Sequence, residues 1–212
     1  MSLRIHAYPS TPRAFKALVV ANHLGVDYEF AFCDLMAGVQ KSETFTALNP
    51  NQKMPVLEDG AFVLWESNAI MQYLASKKPG ALTPTDERGR ADVLRWQFWD
   101  ATTWDPACTK LIFQRVVKAK FNMGGPDEGE VELGLRMFNA AARILDQQLT
   151  GRDFVCDRLS VADFALASPL MLAEAADLPL QPYAALRGWA ERMAALPAWR
   201  ATLAMQQTAS AA

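Results

Sequence analysis

The chain has 212 residues, 51% of them hydrophobic and 21% charged, which is typical of a globular protein long enough to bury a sizeable core. A net charge of −2 argues against a nucleic-acid or anionic-membrane surface, and no apolar run is long enough to span a bilayer. Three scattered cysteines and two histidines indicate neither a disulfide framework nor a metal site, so we expect a reducing, cytoplasmic setting.

The N-terminal third begins with alternating strand and helix patterns. Residues 3–8 alternate apolar and polar side chains and predict a strand. Residues 14–24 carry apolar side chains at helical spacing, and Gly25 stands where such a helix would end. A second strand is predicted over 26–35, and a short helix over 40–48.

A hairpin and a helix complete this region. After a loop over 49–55, Val56–Leu57 and Ala61–Leu64 are predicted to pair around an Asp-Gly turn, because glycine supplies the positive φ that a tight turn needs. A helix follows over 67–77. The order β-α-β-(α)-β-β-α predicts a small α/β domain.

The remainder of the chain shows only helical patterns. Prolines and glycine interrupt the sequence over 77–85, as in a linker. Ser160 followed by Asp163 has the spacing of a capping box at a helix start. The other predicted helices run to about residue 120, over 130–149, and near 183–195 and 197–206. The sequence therefore predicts an α/β domain over 1–78, a linker over 79–85 and an all-helical domain over 86–212.

The segment Met54–Ile70 has two interpretations. If the Met54–Pro55 bond is cis, the chain turns before a strand and leaves the Met54 backbone open to pair with a peptide-like ligand. Glu66 and Ser67 then stand at a helix N-terminus, where free N–H groups attract a carboxylate. Alternatively, the proline only protects a sheet edge and Ser67 only caps a helix.

Two longer stretches carry a resemblance to a known family. "QKSETFTALNPNQKMPVLEDGAFVLWESNAIMQYL" (40–74) and "DRLSVADFALAS" (157–168) resemble the glutathione transferases. The resemblance spans essentially the whole chain. It implies a thioredoxin-like α/β N-terminal domain joined to an all-α C-terminal domain, and a homodimer. It also implies glutathione as co-substrate, no metal, and transfer of the glutathione thiolate to a small hydrophobic electrophile.

The resemblance also implies a set of glutathione-binding residues. Met54 would pair through its backbone with the cysteinyl part of glutathione, and Pro55 would be the cis-proline. Glu66 and Ser67 would bind the γ-glutamyl end. The family often has a histidine where Gln40 stands, so a donor survives here but its positive charge does not. The residues near the glycyl carboxylate would be Gln40, Lys41 and Lys53.

Thiol activation requires a group that favours the thiolate, because the thiol is a poor nucleophile near neutral pH. A hydroxyl donating to the sulfur has this effect. The resemblance implies such a hydroxyl after the first strand, and the order of preference is Thr11, then Ser10, then Tyr8. Thr11 is equally suited to precede a helix that begins at Pro12. The absence of cysteine from this loop favours a serine/threonine-like bacterial class over the thiol-exchanging classes.

The acceptor site is expected in the helical domain. Trp104, Cys108, Leu111 and Arg115 share a stripe at helical spacing and could form the wall of an apolar pocket, although such side chains are more often core. Two other functions stay open on the same fold. One is a non-catalytic glutathione-binding or interaction module, and the other is a glutathione-dependent peroxidase or reductase.

Overall fold

The N-terminal unit is built on a four-stranded mixed sheet. The computed structural model describes residues 3–209, so predictions touching residues 1, 2 and 210–212 lie outside the described residues. The strand order is β2-β1-β3-β4, with β1 and β2 parallel and the other pairs antiparallel. This arrangement confirms the predicted thioredoxin-like fold. The strands are β1 (Leu3–Ala7), β2 (Tyr28–Phe32), β3 (Val56–Asp59) and β4 (Phe62–Trp65), and the helices are α1 (Pro12–Leu24), α2 (Glu43–Leu48) and α3 (Ser67–Ser76).

Helix α1 begins and ends at residues suited to those positions. Pro12 occupies its first turn, where the missing N–H costs nothing. Gly25 ends the helix in the left-handed region, with φ +59°. Between them, Phe15 and Leu18 are completely buried, and α1 packs against α3. Burial of this apolar stripe fixes α1 on the sheet.

The hairpin turn lies one residue later than predicted. Asp59 is the last paired residue of β3 and faces Phe62, so the turn consists of Gly60 and Ala61, with Gly60 at φ +62°. The Asp59 carboxylate accepts hydrogen bonds from α3 and from the residue that caps its C-terminus. The Tyr73 hydroxyl donates to it at 2.6 Å and the Lys77 ammonium at 2.7 Å.

The second unit is helical. The helix predicted to reach residue 120 is continuous, but it contains two π-helical stretches, Asp100–Trp104 and Phe113–Val117, which the sequence did not predict. Ser160 and Asp163 form the predicted capping box. The helices are α4 (Glu87–Trp99), α5 (Asp105–Ile112), α6 (Lys118–Lys120), α7 (Glu128–Leu149), α8 (Val161–Ala167) and α9 (Ala184–Ala195).

The last helix, α10 (Pro197–Ala209), groups with the N-terminal unit. By contacts, residues 86–194 form the helical unit, whereas residues 3–85 and 195–209 form the other. The sequence assigned this segment to the helical domain. It groups differently because its apolar face packs on α1: the Trp199 ring lies 4.7 Å from the Phe15 ring, both buried. None of the described helices has the length and apolarity needed to cross a bilayer.

Candidate functional site

Strand register brings three loops to one end of the sheet. His6 of β1 faces Val56 of β3, and Val56 faces Trp65 of β4. The residues after β1 therefore lie beside those that precede β3 and those that follow β4. Ala7 also faces Phe32, so the segment after β2 begins at the same end. The segments predicted to bind glutathione and to activate its thiol therefore converge there.

The Met54–Pro55 segment has the predicted geometry. The peptide bond is cis, and Pro55 is buried directly before the first paired residue of β3. In the described part of the chain, no hydrogen bond engages the Met54 backbone N–H or C=O. Both groups are available to pair with an extended ligand, in the manner of an added strand.

Glu66 has an unusual backbone conformation at the start of α3. Its φ is +73°, in a region that a non-glycine residue adopts only at a cost of about 1–3 kcal/mol. Its side chain is exposed and does not cap the helix. Ser67, the first helical residue, is buried. Such strain concentrates at binding sites, and here it accompanies a helix N-terminus whose N–H groups favour an anion.

The other predicted glutathione-binding residues lie in the segment between β2 and β3. Lys41 and Lys53 are exposed, and Gln40 lies in a short 3₁₀ turn over Val39–Lys41. The Gln40 Oε1 is buried and has no hydrogen-bond partner among the described residues. No group of three or more His, Cys, Asp or Glu side chains suited to a metal occurs in that described portion.

Asn49 is a positioning residue that the sequence analysis missed. It is only 3% exposed, and its Nδ2 donates to the Lys53 carbonyl at 2.7 Å. Its Oδ1 accepts from the Asn51 N–H at 3.0 Å, and its carbonyl accepts from the Gln52 N–H. Gln52 has φ +55°, so the loop is tightly curled. The available signal was an asparagine opening a loop, since Asn side chains commonly bond to backbone two residues on.

Replacing Asn49 by alanine should weaken glutathione binding while leaving the chemical step nearly intact. The change removes the bonds that shape the loop before Met54, at about 0.5–1.5 kcal/mol each, so we expect the KM for glutathione to rise about threefold to tenfold with little change in kcat. Calorimetry with glutathione and steady-state kinetics measure this. Asn51→Ala removes only the bond from the Asn51 Nδ2 to the Asn49 Oδ1, at 3.1 Å, and should have a smaller effect. A fall in kcat at constant KM would contradict the positioning role.

The loop after β1 presents the predicted hydroxyls. Thr11 is extended, with φ −102°, and immediately precedes Pro12; its side chain does not cap α1. The Thr11 Oγ1 donates to the Tyr8 carbonyl at 3.0 Å, and the Thr11 N–H donates to the same carbonyl at 3.1 Å. The hydroxyl can therefore turn towards a ligand while the Tyr8 carbonyl keeps one donor.

The other two hydroxyl candidates differ in accessibility. Ser10 is partly exposed in the same turn. Tyr8 is 8% exposed, and its ring lies 5.6 Å from that of Phe32. Tyr8 is therefore the least accessible of the three.

The three cysteines are free and buried. Burial raises the pKa of the Cys33 thiol to about 11 and that of Cys156 to about 12. Burial, together with the nearby Asp105 and Asp100, raises the pKa of Cys108 well above its usual value. A thiol needs a lowered pKa to act as a nucleophile near neutral pH, so these side chains are structural.

The predicted acceptor wall in the helical unit needs correction. Trp104, Cys108 and Leu111 have no exposed surface. The Trp104 Nε1 donates to the Leu166 carbonyl at 2.7 Å, and its ring lies 5.2 Å from that of Phe138. These side chains are core, the alternative that the sequence left open. Arg115 donates to the carbonyls of Ala176 and Asp177, so its guanidinium bonds within the helical unit.

Exposed apolar side chains occur beside the loop after β1 in the N-terminal unit. Phe32 is 40% exposed at the end of β2, and Met36 and Val39 are exposed in the segment that follows. Through its ring contact with Tyr8, Phe32 lies beside the loop that carries Thr11. The sequence analysis missed this apolar surface, because the strand alternation of 26–35 predicted only which side chains share a face.

Comparisons with known proteins agree with the fold. A glutathione S-transferase N-terminal domain model matches residues 1–76, and a C-terminal domain model of the same family matches residues 128–192. Glutathione S-transferase D7 of Drosophila melanogaster is 30% identical over 207 residues, which cover 95% of this chain and 89% of that protein.

Solved structures are similar over nearly the whole chain. Glutathione transferase F2 from Populus trichocarpa has a TM-score of 0.90 at 20% identity, covering 97% of this chain and 99% of that one. A glutathione transferase from Pseudomonas putida, with one glutathione disulfide bound per subunit, has a TM-score of 0.87 at 23% identity, covering 95% and 90% of the two chains. At 20% and 23% identity, these two structural similarities support the fold assigned to this chain.

Proposed function

The chain belongs to the glutathione S-transferase family, and from this membership we propose that it conjugates the thiolate of glutathione to small hydrophobic electrophiles. The observation that carries the proposal is the convergence of three segments at one end of the sheet. These segments offer a hydroxyl loop at Thr11, an unpaired backbone at Met54 and a strained helix start at Glu66.

Each segment suits a different part of the tripeptide. The Met54 N–H and C=O pair with the cysteinyl backbone, which aligns the sulfur with the loop after β1. Glu66 and Ser67, at the start of α3, bind the γ-glutamyl end, where the helix N–H groups attract its carboxylate. The glycyl carboxylate meets the cationic side chains of Lys41 and Lys53, and the neutral amide of Gln40 offers an N–H donor beside them.

Activation is assigned to Thr11. Its hydroxyl turns from the Tyr8 carbonyl to the sulfur and donates to it, which favours the thiolate and releases the thiol proton to solvent. The N-terminus of α1 adds a favourable dipole. The sulfur then forms a bond to the electrophilic carbon as the leaving group departs or the activated double bond takes up a proton. Reaction is accelerated because both partners are held together.

The acceptor is assigned to the apolar surface of Phe32, Met36 and Val39, beside the activating loop. Further parts of the proposal follow the family resemblance. They are a serine/threonine-like bacterial class, a homodimer and a cytoplasmic location. The loop after β1 contains no cysteine, which supports the serine/threonine-like class.

Glutathione binding and turnover test the proposed function directly. We expect binding by calorimetry, an ultraviolet thiolate band on bound glutathione well below the ordinary thiol pKa of about 8.5, and conjugation of 1-chloro-2,4-dinitrobenzene with release of chloride. Binding without a thiolate band or turnover would favour the non-catalytic module. Turnover of cumene hydroperoxide alone would favour a peroxidase.

A further inference from the structure

The C-terminal helix reaches the activating loop. Thr202 of α10 accepts a hydrogen bond from Asn22 Nδ2, near the end of α1, at 2.7 Å. Four residues later, Gln206 Nε2 donates to the Pro9 carbonyl at 3.3 Å, before the start of α1. The helix therefore contacts both the C-terminal part of α1 and the turn that carries Ser10 and Thr11.

This turn is bounded by residues that cannot donate a backbone hydrogen bond. Pro9 and Pro12 have no N–H, and α1 has no side-chain cap. Two hydrogen bonds close the turn, from the Thr11 N–H and from its hydroxyl, and both go to the Tyr8 carbonyl. When the hydroxyl turns to a sulfur, one of these two is lost. The orientation of Thr11 then depends more strongly on contacts from outside the turn.

Helix α10 supplies two such contacts. Gln206 binds the carbonyl of the buried Pro9, two residues before Thr11. Trp199 packs on Phe15, whose N–H donates to the Thr11 carbonyl at 2.8 Å. One contact therefore holds the turn before Thr11, and the other holds the first helical turn after it.

We propose that Gln206 is a positioning residue for thiol activation, which keeps the Thr11 hydroxyl aligned with the glutathione sulfur by binding the Pro9 carbonyl. This role rests on the proposed transferase function and on Thr11 as its activating group. It makes the C-terminal helix part of the thiol site, although 195 residues separate Thr11 from Gln206 in the sequence.

The test replaces Gln206 by methionine, which has a similar shape but no donor. The pKa of bound glutathione, read from the ultraviolet thiolate band, should rise, and kcat/KM near pH 6 should fall about threefold to tenfold, as the loss of one hydrogen bond predicts. The loss should shrink near pH 9, because there the thiol ionises without help. A merely structural role would lower kcat/KM equally at both pH values.

Thr202→Val is the matched control on the same helix. It removes the acceptor of Asn22 at the far end of α1, so it should lower the Tm while leaving the thiolate pKa unchanged. An unchanged thiolate pKa in Gln206→Met would overturn the inference, as would an equal shift in Thr202→Val. A wild-type protein that binds glutathione without a thiolate band would instead overturn the proposed function.

Discussion

Replacing Asp163 by alanine is expected to unfold the helical unit or to leave it only marginally stable. The side chain has no exposed surface, and its carboxylate accepts four hydrogen bonds. The donors are the Val155 N–H at 2.8 Å, the Ser160 N–H at 2.9 Å, the Ser160 Oγ at 3.1 Å and the Trp189 Nε1 at 3.0 Å. Burial raises the pKa of this carboxyl, whereas the four donors oppose that shift by favouring the charged form.

The magnitude follows from the donors left behind. Each buried donor left unpaired costs about 1–3 kcal/mol. Asp163→Ala should therefore lower the free energy of unfolding by about 4 kcal/mol or more. Domains of this kind have a free energy of unfolding of about 5–15 kcal/mol in total. Urea unfolding followed by circular dichroism measures the change.

Two variants serve as controls for Asp163→Ala. Asp163→Asn keeps one acceptor oxygen, so it should lose less stability than Asp163→Ala. Asp157→Ala, at an exposed aspartate before the same capping box, should stay within about 0.5 kcal/mol of wild type. Equal stability of Asp163→Ala and Asp157→Ala would show that the buried network is not what stabilises this unit.

The same residue shows how far the sequence could predict the fold. The capping box was predictable because Ser160 and Asp163 are three residues apart and their bonds are local. The hydrogen bond from Trp189 could not be predicted, since no local pattern relates a residue in α9 to the start of α8. Element order followed in the same way from local signals, such as Gly25 at the end of α1.

The neighbour that covers a given helix face was harder to predict than the helix itself. The stripe through Trp104, Cys108 and Leu111 does share one face, but helical spacing does not say what covers that face. Helix α7 covers it at Gly134, where an added Cβ would lie 2.9 Å from the Leu111 Cδ2. The stripe is therefore core. Likewise, the pattern of α10 predicted a helix but not that it packs on α1.

The binding segments were predicted individually, and strand register then assembled them. The pattern around Met54 and Glu66 allowed either a ligand site or a plain hairpin, and the family resemblance favoured the ligand site. The positive φ of Glu66 could not be predicted, because no glycine marks that position, whereas the local bonds of Asn49 had a sequence signal that was missed.

Loss of the Thr11 hydroxyl should produce the largest catalytic defect. A hydrogen bond to a charged group contributes about 1.5–3 kcal/mol, so Thr11→Val should raise the pKa of bound glutathione by about 1–2 units. Because the wild-type pKa lies below that of the free thiol, the variant has less thiolate at neutral pH, and kcat/KM should fall about tenfold to a hundredfold.

The pH profile distinguishes this defect from a folding effect. The activity of Thr11→Val should recover as the pH rises through the free-thiol pKa, since the thiolate then forms unaided. Thr11→Ser keeps the hydroxyl and should retain most of the activity, with a thiolate pKa near that of wild type. The Tyr8 carbonyl keeps the residue 11 N–H as a donor in both variants, so the turn is preserved.

Parallel variants decide between the three hydroxyls. Ser10→Ala and Tyr8→Phe are measured by the same ultraviolet titration, and under the Thr11 mechanism each should leave the thiolate pKa within a few tenths of a unit. A shift confined to Ser10→Ala would transfer the role to Ser10, and one confined to Tyr8→Phe would transfer it to Tyr8. A low pKa that survives in all three variants would mean that the N-terminus of α1 alone stabilises the thiolate, because its N–H groups and dipole are then the remaining source of positive potential at the loop.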